Sequence, residues 1–289
     1  MLLQFIINGL IYGIIIALAS LGFAIIYNTT RIFHIAYSTL YIIPPYIIMA
    51  ISKQAGYALW IAIVIAILLT ILISMLIHLI VYNPIEKKKG SLNILMISSI
   101  GVMIIGINTI ALIFGNETQI LNLDLSKTFH IGQIVITHNQ LLQLTVGISI
   151  LVFFLLLLKF SQFGIKTRAL RDNPELCNIY QMNVPVFKLK LYALSGFFIS
   201  IAGILMAWDI GVNPYIGMPM FLNAIVALII GGIGKFLAPI LGGIIIGLLQ
   251  SLVVWQFSSN WQEAVTFTVL ILFLLLRPQG IFGEKIREV

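Results

Sequence analysis

The sequence predicts an all-α, polytopic integral membrane protein with about eight to ten transmembrane helices, some of them broken or re-entrant. Of its 289 residues, 61% are hydrophobic and only 9% are charged, whereas roughly a quarter of the residues in a soluble domain are charged. Apolar runs of about 20 residues, long enough to cross a bilayer, follow one another along the chain. We therefore expect a single transmembrane domain over residues 1–289.

Nine apolar segments are predicted along the chain. They cover about residues 5–27, 35–51, 57–82, 94–115, 140–160, 189–207, 219–232, 237–257 and 262–276. The second segment contains Pro44 and Pro45, which lack backbone donors and should kink or break a helix. The seventh is short and ends in a glycine-rich run at Gly231, Gly232 and Gly234. Either of these two segments could be re-entrant.

The distribution of lysine and arginine predicts the orientation, because these residues concentrate on the cytoplasmic side of membrane proteins. With nine crossings and an external N-terminus, only Lys53 and Lys127 of the 16 lysines and arginines fall outside the cell. We therefore expect a multi-pass plasma-membrane protein with a cytoplasmic C-terminus. The net charge of +7 follows from this threading, so nucleic acid is not an expected partner.

Two connections between the segments are long enough to carry function. The external loop over residues 115–140 is polar and contains the run HIGQIVIT, which predicts a short hairpin. The cytoplasmic stretch over residues 161–190 predicts a short helix that begins at Pro174, with Asp172 or Asn173 as its cap. A short helix beneath the membrane is suited to transmitting a push from a cytoplasmic partner.

Glycine spacing predicts close contacts between helices. Gly9 and Gly13 are four residues apart, as are Gly243 and Gly247, and small residues at this spacing let two helices approach in lipid. The spacing fits packing inside one subunit and a dimer interface equally well. Residues 224–250 predict two helices around a glycine-rich break, which fits either a pathway-lining element or a tight turn.

The sequence shows no catalytic or metal-binding constellation, so we expect neither enzymatic activity nor a cofactor. The pair Gly234–Lys235 matches the second glycine and the lysine of a phosphate loop, but Ile229 replaces its first glycine and Phe236 replaces the magnesium-binding serine or threonine. The single cysteine, Cys177, excludes an internal disulfide. Any ATP hydrolysis is therefore expected in a separate subunit.

Charged residues are nearly absent from the middle of the predicted segments, where proton-coupled and ion-coupled carriers usually have them. Asp209 and Glu263 fall at predicted outer ends, and His78 lies near an inner end. Five polar residues are candidate lining groups of a transport pathway: Ser98, Ser99, Asn108, Asn223 and Gln250. Hydrogen bonding between helices is the commoner role for such residues.

Several motifs resemble those of the branched-chain amino acid type permeases of bacterial and archaeal ABC importers, over about residues 5–283. The most specific is the closing run LILFLLLRPQGIFG, whose matching letters are Arg277, Pro278, Gln279, Gly280, Phe282 and Gly283. The likeness extends to NPYIG at residues 213–217, GGIG, LGGIIIG, LSGFFISIAGIL at residues 194–205 and YNPIEKKKG followed by ISSIGVMIIGINTIALIFG.

One motif departs from that family's pattern. Where the family usually reads asparagine, phenylalanine, alanine, histidine, glycine, glutamate, residues 34–39 read HIAYST and keep only Ala36 and the later Tyr41. The missing histidine and glutamate leave the solute open between branched-chain amino acids and another small polar solute.

The resemblance implies a permease subunit of an ATP-driven importer, whose solute is delivered by an extracytoplasmic binding protein. It also implies a second homologous permease and cytoplasmic ATP-binding subunits, whose closure would push on residues 161–190. The residues expected to make this coupling contact are Arg168, Arg171, Asp172, Asn173 and Glu175. For the arginines, anchoring on the cytoplasmic side is a sufficient alternative role.

Two other classes of function stay open at this point. A stand-alone secondary carrier or channel would need no ATPase and would transport by itself in vesicles. A membrane-embedded enzyme would usually show acidic or histidine clusters at the lipid boundary, and the sequence shows none.

Overall fold

A computed structural model of the protein describes residues 2–54, 56–121, 128–131, 134–277 and 279–282. Helices make up nearly all of this part of the chain. They are α1 (Leu2–Thr30), α2 (Tyr37–Met49), α3 (Leu59–Ile77), α4 (Asn83–Lys87), α5 (Leu92–Phe114), α6 (His138–Phe160), α7 (Gln162–Asp172), α8 (Pro174–Ile179), α9 (Val184–Ile210), α10 (Gly217–Gly231), α11 (Ala238–Gln256) and α12 (Gln262–Leu276). Two antiparallel strands, β1 (Thr128–Ile131) and β2 (Ile134–Thr137), form the hairpin predicted for the loop over residues 115–140.

Seven helical stretches are long and apolar enough to cross a membrane, and two shorter apolar helices stand where the two weak segments were predicted. This confirms an all-α, polytopic membrane protein. Lys127, Pro278 and Gly283, and the last residues 284–289, lie outside the described residues. The orientation of the termini stays a prediction.

The two prolines of the second segment do not break it, so of the predicted kink or break only the kink stays a prediction. Pro44 and Pro45 lie inside α2 and are buried, and the helix continues beyond them into a π-helical turn at Ala50–Gln54. Pro45 cannot donate to the carbonyl oxygen of Tyr41, four residues earlier. That oxygen lies against Gly203 of α9, so closely that no Cβ would fit between them. Because Gly203 has no side chain, α9 can approach the carbonyl group of Tyr41, which Pro45 leaves without its helical donor.

The chain divides into two compact units, and the first comprises Met1–Ala24, Asp124–Leu157 and Leu222–Val289. Here Gly13 and Gly247 lie where α1 packs directly on α11, because a Cβ on Gly247 would collide with the backbone of Gly13. The predicted glycine pairs therefore pack inside one subunit. The side-chain amide of Gln4 bonds both backbone groups of Val135, at 2.9 Å each, and so ties α1 to β2.

The second unit comprises Ile25–Leu123 and Leu158–Phe221. Its core is formed where α2, α3 and α9 meet, around Ile48, Ala62, Ala66 and Ile204. Small residues at these contacts let helices come close in lipid, where apolar burial adds little to association. The single transmembrane domain expected over residues 1–289 stays a prediction.

Candidate functional site

The stretch over residues 161–190, predicted to be cytoplasmic, contains α7, α8 and the start of α9, each of which has a side-chain cap. The hydroxyl of Ser161 accepts from the backbone N–H of Gly164 at the start of α7. Asn173 accepts from the N–H groups of Glu175 and Leu176, which confirms the predicted cap of α8. Each cap satisfies backbone donors that a helix start leaves unpaired.

Two contacts hold α7 in place. The guanidinium of Arg168 donates to the carbonyl oxygen of Leu158 at 3.0 Å, and the rings of Phe163 and Phe187 lie 5.2 Å apart. Gly164 also packs directly on the Leu158 carbonyl. These contacts join α7 to the end of α6 and to α9.

The predicted coupling residues face different surroundings. Asp172 and Asn173 line a cavity of about 680 Å³ between α7, α8 and the start of α9. Arg171 forms an ion pair with Asp172, with 2.6 Å between the nearest nitrogen and oxygen atoms. Glu175 is exposed on α8, and Arg168 is engaged with Leu158.

The five candidate lining residues divide into two groups. Asn223 and Gln250 are buried, and the amide nitrogen of Gln250 donates to the Asn223 oxygen at 3.0 Å and to the Thr266 hydroxyl at 2.9 Å. Ser99 is fully buried and accepts from the backbone N–H of Ala36. Ser98 and Asn108 lie on the less covered face of α5, bonded only to carbonyls of their own helix.

The opposite face of α5 is packed against α2. Gly106 lies against the side chain of Thr39, whose hydroxyl donates to the carbonyl oxygen of Met103 at 3.2 Å. The less covered face presents Ile94, Ser98, Gly101, Ile105 and Asn108 at alternating spacings of four and three residues. Residues at this spacing form a line along one side of a helix, and two helices can pair along such a line.

A buried cluster of histidine and tyrosine side chains was not predicted from the sequence. Nδ1 of His34 lies 2.6 Å from the Tyr82 hydroxyl, which donates to Ser99 at 2.8 Å. The ring of His78 stacks on Tyr192 at 4.4 Å, and the His34 ring meets the edge of Tyr192 at 5.7 Å. All four aromatic residues are buried. No sequence pattern links these four residues to one another. Only His34 stands out in the sequence, because it departs from the family motif.

The NPYIG motif forms a turn between α9 and α10 that hydrogen bonds hold to the loop after α5. Gln119 and Val212 exchange two backbone hydrogen bonds of 2.8 Å, and the Tyr215 hydroxyl donates to Asn116 at 3.1 Å. The loop that follows α5 is thereby tied to the end of α9. Gly211 makes this possible with φ of 79° and ψ of −174°, a conformation that only glycine adopts readily.

The closing motif folds back on the glycine-rich break after α10. The N–H groups of Ile281 and Phe282 donate to the carbonyl oxygens of Ile230 and Gly231, at 2.8 and 3.0 Å. Gly280, with φ of 74°, packs on Gly232. The motif therefore satisfies carbonyl groups that the end of a helix leaves unpaired. This fits the tight turn predicted as one of two roles for the break.

Metal-binding chemistry finds no support in the part of the chain that the structure describes. It contains no group of three or more histidine, cysteine, aspartate or glutamate side chains placed to hold an ion. Nor does any lysine, arginine, aspartate or glutamate occur among its buried residues.

Comparison with known proteins identifies relatives over nearly the whole chain. A profile for a family described as the permease component of branched-chain amino acid transport systems matches residues 5–274. The high-affinity branched-chain amino acid permease LivH of Escherichia coli K12 is 27% identical, over 98% of this chain and 96% of its own length. The probable LivH permease of Methanocaldococcus jannaschii is 25% identical, over 96% of this chain and 91% of its own.

A partial match and a solved structure extend the comparison. The galactose/methyl galactoside import permease MglC of E. coli K12 is 30% identical over 62% of this chain and 57% of its own length. The structure of PsaBC from Streptococcus pneumoniae in complex with Fab has a similar fold, with a TM-score of 0.53 and 14% identity. The similarity covers 95% of this chain and 92% of that chain.

Proposed function

The chain belongs to the family of permease components of branched-chain amino acid transport systems, and on that basis we propose that it is the transmembrane subunit of an ATP-driven importer. It translocates a branched-chain amino acid or a related small polar solute that an extracytoplasmic binding protein delivers. The observation that carries this proposal is the match to relatives along nearly the full length of both chains.

The charge distribution of the helices supports an external energy source. Carriers driven by protons or ions usually bury acidic or basic residues near the middle of the bilayer, whereas no acidic side chain, lysine or arginine is buried in the described part of the chain, and its buried histidines His34 and His78 pack against tyrosine rings. ATP-binding subunits on the cytoplasmic side would supply the drive, and the chain itself would hydrolyse nothing.

The mechanical route that we propose runs along α9. This helix has 27 residues and is about 40 Å long, at about 1.5 Å per residue. It begins at the cavity beside α8 and ends at the turn that is bonded to Gln119. A push on residues 161–190 would therefore reach the loop that follows α5 through one stiff helix and two backbone hydrogen bonds, and would shift the helix between outward-open and inward-open positions.

We assign the solute path to the less covered face of α5. Ser98 and Asn108 lie there without a partner from another helix among the described residues. A second homologous permease would pack along the same face, so the two subunits would enclose the path. Ser99, Asn223 and Gln250 instead hold helices together by buried hydrogen bonds.

We attribute the departure from the family motif at residues 34–39 to packing inside the chain. All six of these residues are buried, and His34 is enclosed by the rings of Tyr37, Tyr82 and Tyr192. Because the packing inside the chain accounts for these side chains, we keep branched-chain amino acids as the first substrates to test.

The coupling assignment is tested by replacing both acids beside α8. We expect Asp172→Asn with Glu175→Gln to abolish ATP-driven leucine uptake into vesicles while the permease still inserts and assembles. The matched control is Glu117→Gln with Glu263→Gln, which removes two exposed acids elsewhere and should leave uptake unchanged. Normal uptake by the Asp172 and Glu175 variant would refute the assignment.

A further inference from the structure

Helix α9 packs along a line of small residues on α3. Four buried residues of α3 recur at every fourth position: Ala62, Ala66, Thr70 and Ser74. A Cβ added to Gly196 of α9 would lie 2.9 Å from the Cβ of Ser74, and Ile204 packs at the other end of the line. The two helices are therefore antiparallel and close together. Because no large side chain interrupts the line, α9 would meet an equivalent surface after a displacement of one helical turn.

Three contacts hold α9 in its present register against α3 and α4. The hydroxyl of Ser74 donates to the carbonyl oxygen of Tyr192 at 2.7 Å. The ring of His78 stacks on the ring of Tyr192, with 4.4 Å between their centroids. At the end of the contact, Nζ of Lys188 lies 2.9 and 3.0 Å from the two carboxylate oxygens of Glu86.

This register leaves polar atoms beside Tyr192 without a hydrogen bond. They are Nε2 of His34, Nδ1 of His78 and the hydroxyl of Ser195, none of which has a partner among the described residues. All three residues are at most 2% exposed. A buried polar group without a partner costs free energy and calls for an explanation. Ser195 lies three residues beyond Tyr192 on α9, which is about 4.5 Å along the helix axis.

We propose that α9 moves along α3 by one helical turn, about 5.4 Å, during the transport cycle, toward its own N-terminal end. In the second register the hydroxyl of Ser195 bonds to Nδ1 of His78, so both atoms gain the partner that they lack. Gly196 takes the place of Tyr192, and its missing side chain gives the His78 ring room to reach Ser195. Ser74 then donates to the carbonyl oxygen of Gly196.

The ion pair can follow the same one-turn step. Lys188 and Tyr192 are four residues apart on one side of α9. The step therefore puts the Tyr192 hydroxyl where the Lys188 amine now bonds to Glu86, and a tyrosine hydroxyl can donate to a carboxylate. Each contact of the present register thus has a successor one turn along α9. The inference rests on the proposed function, because the ATP-driven push supplies the displacement, and it specifies how α9 moves.

Disulfide formation can distinguish the two registers. Gly196 faces Ser74, so Ser200, one turn further on α9, faces Thr70, one turn back on α3. After the one-turn step Ser200 would face Ser74 instead. A disulfide forms only where two Cβ atoms come within about 3.5–4.5 Å. The variants Thr70→Cys with Ser200→Cys and Ser74→Cys with Ser200→Cys therefore report the present and the second register, and each is the matched control of the other.

Both variants would be oxidised with copper phenanthroline in proteoliposomes that hold the complete importer. We expect the Thr70 pair to join without ATP, and the Ser74 pair to join at least about tenfold faster during ATP hydrolysis than without ATP. Mass spectrometry of the digested chain identifies the joined cysteines, because the native Cys177 stays in place. Joining of the Thr70 pair alone under both conditions, or of neither pair, overturns the one-turn step.

Removal of the Ser195 hydroxyl tests the second register independently. We expect Ser195→Ala to lower the maximal rate of ATP-driven leucine uptake severalfold at unchanged KM. The melting temperature of the resting assembly should not fall, because this hydroxyl has no bond to lose in the present register. Tyr46→Phe is the matched control, since it removes a buried hydroxyl without a partner on α2, and its uptake should be normal. Normal uptake by Ser195→Ala would contradict the step.

These outcomes separate the one-turn step from the importer proposal. If the native chain in its complete assembly imports nothing in the presence of ATP, the proposed function fails and the step fails with it. If import is driven by ATP but the Ser74 pair never joins, or Ser195→Ala transports normally, only the step is overturned.

Discussion

Polar side chains on neighbouring positions of α5 have opposite surroundings. Ser99 is fully buried and bonded to Tyr82 and to the backbone of Ala36, whereas Ser98 bonds only to its own helix. The sequence identified both as candidate lining residues because it gives residue type and spacing. It could not distinguish them, because the partners of Ser99 come from distant parts of the chain.

Substitution can separate a solute contact from a bond between helices. We expect Gln250→Leu to lower the melting temperature of the purified protein, since two buried hydrogen bonds are lost at about 0.6 kcal/mol each. The same variant should keep its choice of solute. Asn108→Ala should leave the melting temperature unchanged, because its side chain has no partner on another helix among the described residues. It should also reduce leucine uptake severalfold, because Asn108 lies on the proposed solute path.

Thermal unfolding and uptake of competing solutes, measured on the same preparations, check both variants. A change of solute preference in Gln250→Leu, or normal uptake by Asn108→Ala, would contradict the assignment of the path to α5.

Helices could be located from the sequence more reliably than their irregularities. All nine predicted segments are helical, and the short helix after Pro174 begins with the predicted cap. Of the predicted kink or break at Pro44 and Pro45, the break is absent, and the close approach of Gly203 to the Tyr41 carbonyl could not be predicted because Gly203 lies on another helix. The glycine pairs of α1 and α11 were foreseen, but only the structure shows that they meet within one chain.

The link between α9 and the loop after α5 is the element on which the mechanical route depends. At Gly211 an added Cβ would meet the carbonyl oxygen of Gln119 at 2.7 Å, in a backbone conformation that side chains rarely adopt. We expect Gly211→Ala to distort the two hydrogen bonds and to lower uptake while ATP hydrolysis continues. The strain itself costs about 1–3 kcal/mol.

Gly56→Ala is the matched control for that variant. Gly56 also has a positive φ, of 71°, but an added Cβ there would meet no atom within 4 Å. It should lose some stability and keep normal coupling of ATP hydrolysis to uptake. Equal coupling in the two variants would contradict the route through α9.

The chain combines helices that are long and apolar enough to cross a membrane with one basic helical stretch over residues 161–190. Length, composition and apolar periodicity predicted these membrane-crossing helices, since only helices satisfy backbone groups in lipid over such lengths. The family followed from short motifs that the structure explains as turns and caps, such as the bonds from Ile281 and Phe282 to the end of α10. The cavity beside α8 could not be predicted, because it arises from the packing of three helices.

Uptake of radiolabelled leucine into proteoliposomes tests the importer proposal most directly. The chain would be reconstituted alone, and also together with the partner permease, the ATP-binding subunits and the binding protein that co-purify with it from native membranes. We predict uptake only in the complete assembly, and only when ATP is on the side that bears Lys166 and Lys190. Equal uptake by the chain alone without ATP would show a stand-alone carrier or channel and would contradict the account.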